Sequence, residues 1–217
     1  MNGKIFYPVL VVFAAGYVLW TLAAHFAVDP QTSDFLSHKT NLLHPIRLPA
    51  WLRVLDFHVA SACLAMAAGA LNFSERLRRR NRQLHRGTGY VYIAAVLAVC
   101  ATSGYMAPHA TGGRAVSSAF NLLNLVWMAF TVIALVQIKR KRIAKHREWM
   151  IRSYLFCFTN LSIHALLSVF HGMIGMTYET GYAISVFGSI ALLPLLAEAV
   201  IRLRPALPPS VSDRSLS

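Results

Sequence analysis

The chain has 217 residues, 56% hydrophobic and 13% charged, with a formal net charge of +13; soluble domains run at about a quarter charged. This composition excludes an ordinary soluble domain and describes a chain built to sit in lipid. The positive charge does not make it a nucleic-acid binder. No recognition fold accompanies it, and its lysines and arginines stand beside apolar runs, where membrane orientation and attraction to anionic lipid headgroups account for them.

Six apolar runs are long enough to cross about 30 Å of hydrocarbon. They fall at roughly 5–27, 51–73, 89–108, 116–138, 149–171 and 181–203. The fold class is therefore all-α: a polytopic membrane helix bundle of six transmembrane helices, with helices 2 to 5 as a four-helix core. The first run follows Lys4 as a secretory signal does, but its apolar stretch is too long and no clean cleavage site lies around Ala24 to Ala27, so it reads as a retained helix. Residues 28–50 carry Pro30, Pro45 and Pro49 and read as a cap over one face. Six arginines lie in the 74–89 loop and seven lysines and arginines in the 138–152 loop. By the positive-inside rule these loops face the cytoplasm, as do both termini, in a cell inner membrane. Pro194 predicts a kink in the last helix, where Glu198 and Arg202 are spaced as an i, i+4 pair. Residues 1–204 form one transmembrane domain, and 205–217, rich in Pro and Ser, read as a disordered cytoplasmic tail.

Common soluble-site motifs are absent: the sequence holds no Walker loop, Rossmann glycine pattern, HExxH or GxSxG. Cys63, Cys100 and Cys157 fall inside helices without a CxxC spacing and read as packing residues. Trp51 and Trp149 fall where interfacial belts are expected, and Asp56 is spaced to pair with Arg53.

The polar handle is histidine. On the fifth helix His146, Met150, Ser153, Cys157, Asn160, His164, Ser168 and His171 step by three or four and share one face, which lipid should turn toward the bundle interior. On the second helix His58 shares a face with Ala62, Ala65 and Gly69. His58 and His164 both sit about 10 Å below the outer boundary, the arrangement that an axial pair on a haem b iron requires. His85 and His146 open the third and fifth helices at the other boundary, and His146 lies about 27 Å from His164 along a straight helix. A second haem layer there would complete a transmembrane electron wire, with Arg152 placed to neutralise a propionate or a quinone oxygen. Other readings stay open. His58 and His164 can simply hydrogen-bond across the bundle, and His85 and His146 can meet a lipid phosphate or the acids Glu75 and Glu148.

The succession of His58, Asn72–Phe73 and a basic loop, LHRGTGYVY, GGR, Trp127 and HREWMIRSY resembles the domain of unknown function 2306 family of predicted bacterial membrane proteins over roughly residues 55–170. The resemblance implies a four-span core with His58, His85, His146, Trp149 and Arg152 at signature positions, and it implies no activity. The family pattern has an arginine near the place of His164, which makes an outer pair particular to this chain. In spacing and depth alone the arrangement is also similar to the cytochrome b561 type of haem bundle.

Three functions are therefore expected in competition. The first is a haem b electron carrier or quinone-linked reductase, with His58 and His164 as metal ligands, His85 and His146 as an inner pair, and a quinone or membrane redox partner. The second is a non-redox binding or transport protein for a lipid, quinone or small solute. The third is an accessory or assembly subunit of a membrane complex. Catalytic residues are not assignable from the sequence.

Overall fold

A computed structural model describes residues 3–30, 32–37 and 46–203. The tail expected from residue 205 and most of the expected cap lie outside the described residues. The chain order is α1 (Gly3–Ala23, continued by a π-helical turn Ala24–Val28), α2 (Ser33–Ser37), α3 (Leu48–Asn72), α4 (Glu75–Arg80), α5 (Arg82–Met106), α6 (Gly113–Lys139), α7 (Ile143–Leu155), α8 (Thr159–Leu167) and α9 (Tyr178–Leu203). Six helical stretches are long and apolar enough to cross a membrane: Tyr7–Val28, Leu48–Asn72, Arg82–His109, Gly113–Lys139, Ile143–Met173 and Tyr178–Leu203. Each expected span is found. The third starts seven residues earlier than its apolar run, because the basic segment before it is helical rather than a loop. Ser74 Oγ accepts from Leu77 N to start α4, and Asn81 Oδ1 accepts from Leu84 N to start α5. These are the oxygen-bearing side chains that satisfy otherwise unpaired first-turn amides.

Leucines, valines and aromatic rings stand uncovered along the helices, among them Val12, Trp20, Phe57, Leu125 and Leu195. In lipid that exposure costs nothing, and it follows from the composition. Inside, α3 packs most extensively on α5, α6 on α7, and α8 on α9, while α1 leans on α3 at the periphery. The main core joins Ala65, Met66, Tyr92, Val96, Trp127, Tyr154, Phe156 and Leu193. Small residues on α3 let rings approach closely: a Cβ at Gly69 would run into the Tyr154 ring and come within 3.1 Å of Tyr92 Cε2.

The fifth span is not one straight helix. A 3-10 turn, Phe156–Phe158, separates α7 from α8, and a π-helical segment, Ser168–Met173, ends it. A 3-10 turn advances about 120° per residue instead of about 100°, so three residues rotate everything downstream by about 60°. The expected eight-residue polar stripe therefore breaks. Ser153 is buried, but Asn160, His164, Ser168 and His171 are exposed, and Ile163 and Leu167 take the inward positions. This corrects the expectation that His164 lines the interior.

Trp51, an interfacial anchor or a packing residue by its position, is packed at 2% exposure. Two smaller expectations change as well. Asp56 receives His25 Nε2 at 2.8 Å, while Arg53 Nε donates to the Pro49 carbonyl. The Glu198 carboxylate takes Arg152 as its close partner, from another helix.

Candidate functional site

The end of the bundle that carries the basic segments brings α5, α6 and α7 together. His85 is the fourth residue of α5 and His146 the fourth of α7, so each projects from a first helical turn. His146 Nδ1–H donates to the Ala134 carbonyl of α6 at 2.8 Å, so in the neutral ring Nε2 carries the lone pair. His85 stands within electrostatic reach of His146 and Arg78. Its Nδ1 is buried without a hydrogen-bond partner, and so is Oε1 of Gln137, one turn beyond Ala134 on α6. Buried polar atoms are nearly always paired, and these two lie on neighbouring helices at one end of the bundle; among the described residues Trp127 Nε1 in the core and Thr32 Oγ1 also have no hydrogen-bond partner. Glu75 of α4 ties the rim together, lying 3.4 Å from Arg147 and 3.9 Å from Arg78.

Two turns deeper lies a hydrogen-bonded chain between the same three helices. Tyr92 OH is 2.7 Å from Ser153 Oγ, which is 2.7 Å from Thr131 Oγ1. Thr131 donates its own proton to the Trp127 carbonyl at 2.9 Å. With that proton committed, Ser153 must donate to Thr131 and Tyr92 must donate to Ser153, so the order of donors along the chain is determined. Tyr92 and Ser153 are fully buried and Thr131 is 3% exposed.

The far half of the bundle holds separate polar contacts. Thr102 Oγ1 gives its proton to the Ala98 carbonyl, so it accepts from His58 Nδ1–H at 2.8 Å. Asn124 Nδ2 donates to Ser103 Oγ at 2.9 Å. Tyr92 and Ser103 stand eleven residues apart on α5, about 16 Å, and the buried Val96, Val99 and Leu123 fill the space between. The two polar halves are divided by an apolar layer.

The five residues expected to hold a cofactor thus divide. His85 and His146 come together at the basic end. His58 is engaged with α5, and His164 lies exposed on α8 with no side-chain hydrogen bond, so the outer pair is not assembled. Arg152 is occupied: Nε donates to Glu198 at 2.6 Å, Glu148 is 4.0 Å away, and the guanidinium lies over Trp149 at 4.6 Å. It is not free for a propionate. Among the described residues no group of three or more His, Cys, Asp or Glu is placed to hold a metal ion. The layer below the inner pair is filled by Tyr92, Tyr154, Trp127 and Phe156, none more than 3% exposed. Gln137 and Thr131, polar residues of α6 facing this end and the layer below it, were not singled out by the sequence. Their signal was present, as polar residues at i and i+6 flanking the small Ala134 in an apolar helix.

The family described as "Predicted membrane protein (DUF2306)" matches residues 55–201 of the 217. The matched region runs about thirty residues beyond the stretch expected from the motifs and takes in nearly all of α9, while α1 lies outside it. No curated protein and no solved structure matched this chain.

Proposed function

We propose, for a chain that belongs to the DUF2306 family of predicted membrane proteins, that it is a membrane-embedded binding protein whose ligand is held at the basic end by His85, His146 and Gln137. One observation carries this reading: α5, α6 and α7 converge there on two buried polar atoms without partners, beside an imidazole whose free nitrogen is fixed by Ala134. Two turns deeper the hydroxyls of Tyr92, Ser153 and Thr131 satisfy one another within the bundle, whereas His85 Nδ1 and Gln137 Oε1 are left for a ligand. The apolar layer of Val96, Val99 and Leu123 speaks for binding at one end over an open pathway.

The test is native mass spectrometry of protein released from its own membranes, comparing wild type with a His85→Ala/His146→Ala variant. A bound mass present on the wild type and missing from the variant supports the site. Identical mass distributions for two folded proteins reject it.

A further inference from the structure

The class of ligand follows from what the orphan atoms lack. Gln137 Oε1 only accepts hydrogen bonds. The neutral His146 ring, its Nδ1–H spent on Ala134, offers Nε2 as a second acceptor. His85 adds a third atom, its buried and unpaired ring Nδ1, an acceptor in the Nε2–H tautomer. The site therefore calls for a ligand that brings hydrogen-bond donors. Its rim calls for the opposite charge character: Glu75 lies between Arg78 and Arg147, one carboxylate against two guanidiniums. Beside it a recess is lined by Glu75, Arg76, Arg79 and Arg80. Arginine forks suit phosphate oxygens. A bare metal ion would satisfy the acceptors but meet a cationic rim, and inorganic phosphate would satisfy the rim but bring the acceptors few protons.

Resting on the binding reading above, we infer that the ligand is the headgroup of an anionic phospholipid whose terminal group carries hydroxyls, the phosphatidylglycerol class. The phosphate lies against Arg78 and Arg147, and the glycerol hydroxyls donate inward to Gln137 Oε1 and His146 Nε2. The position agrees with the chemistry. His85 and His146 sit in the first turns of spanning helices and remain partly open, at the depth where headgroups meet helix ends. Acyl chains would run along the uncovered apolar flanks of the bundle.

The experiment titrates delipidated protein in detergent with phosphatidylglycerol, phosphatidylcholine and phosphatidic acid of identical acyl chains, and with glycerol 3-phosphate, read by native mass spectrometry. Phosphatidylcholine keeps the phosphate but has no donor hydroxyl, and phosphatidic acid keeps an anionic phosphate without the glycerol hydroxyls. Two hydrogen bonds to otherwise unpaired acceptors predict about tenfold tighter retention of phosphatidylglycerol than of either lipid. The preference should collapse in Gln137→Leu, whose side chain makes no hydrogen bond within the protein, so this variant is expected to fold. Arg147→Gln should weaken every phosphate lipid alike. Equal retention of the three lipids, or a preference that survives Gln137→Leu, overturns the assignment. So does glycerol 3-phosphate binding as well as the lipid, which would move the same chemistry to a soluble source. If phosphatidylglycerol fails while the wild type still carries a mass that the double histidine variant loses, the lipid class is wrong and the binding site stands. If that mass is also absent, the binding reading has failed.

Discussion

Replacing Ser153 with alanine tests the directed hydrogen-bond chain at the centre of the bundle. Ser153 accepts from Tyr92 and donates to Thr131, both at 2.7 Å. Its loss removes two interhelical bonds, each worth about 0.6 kcal/mol in membrane bundles and at most about 1.7. It also strands the Tyr92 hydroxyl as a donor in a fully buried site, a further cost of about 1–3 kcal/mol. Thr131 loses only an incoming donor, because its proton remains on the Trp127 carbonyl. Together these give an expected cost of about 2–4 kcal/mol for Ser153→Ala. Tyr92→Phe keeps the ring and deletes the end donor, leaving behind only an acceptor lone pair on Ser153, so it should cost about 0.5–1 kcal/mol. The double variant should cost less than the sum, since no hydroxyl is then stranded. Reversible unfolding in mixed micelles, followed by helical circular dichroism, measures all three. A Tyr92→Phe cost equal to or above that of Ser153→Ala would refute the assigned direction of donation.

Three further outcomes follow from the packing. Gly69→Ala places a methyl against the Tyr154 and Tyr92 rings and should destabilise by about 1–3 kcal/mol in the same unfolding assay, whereas Gly104→Ala, where a Cβ meets nothing within 4 Å, should be close to neutral. Arg152→Gln loses the Glu198 pair and the contact over Trp149, an expected cost of about 1–2 kcal/mol. Glu198→Gln should cost less, because Glu148 and Trp149 still hold the guanidinium, and equal costs would contradict that division. In a background without native cysteines, a lipid-soluble thiol reagent should modify a cysteine at position 164 and spare those at 153 and 163. Labelling at 163 and protection at 164 would show that the Phe156–Phe158 turn does not rotate α8.

How far the sequence could be read depended on how regular the helices are. Spans were legible because hydrocarbon thickness sets a length that composition alone reveals, and α3, α5 and α6 met that expectation. Interior faces were legible as long as 3.6-residue periodicity held: Ser153 follows His146 by seven residues, and both point toward α6. Past Phe156 the periodicity argument failed, because nothing in FCF announces a tighter turn, and an extra rotation of about 60° is enough to exchange His164 for Ile163. Pairings across helices were also hidden. Arg53, Glu148 and Arg202 are near neighbours of Asp56, Arg152 and Glu198 in the sequence, yet Asp56 and Glu198 each took a partner more than thirty residues away. Local spacing offers candidate ion pairs, but bundle topology decides among them, because a partner on an adjacent helix fixes two elements where an i, i+4 partner fixes none. The same asymmetry explains the histidines. Matched depth suggested His58 with His164, while the contacts that formed, His58 with Thr102 and His146 with Ala134, join helices that pack directly. Depth is a property of one helix and a contact is a property of two, so matched depth alone could not foretell which histidine would meet which neighbour.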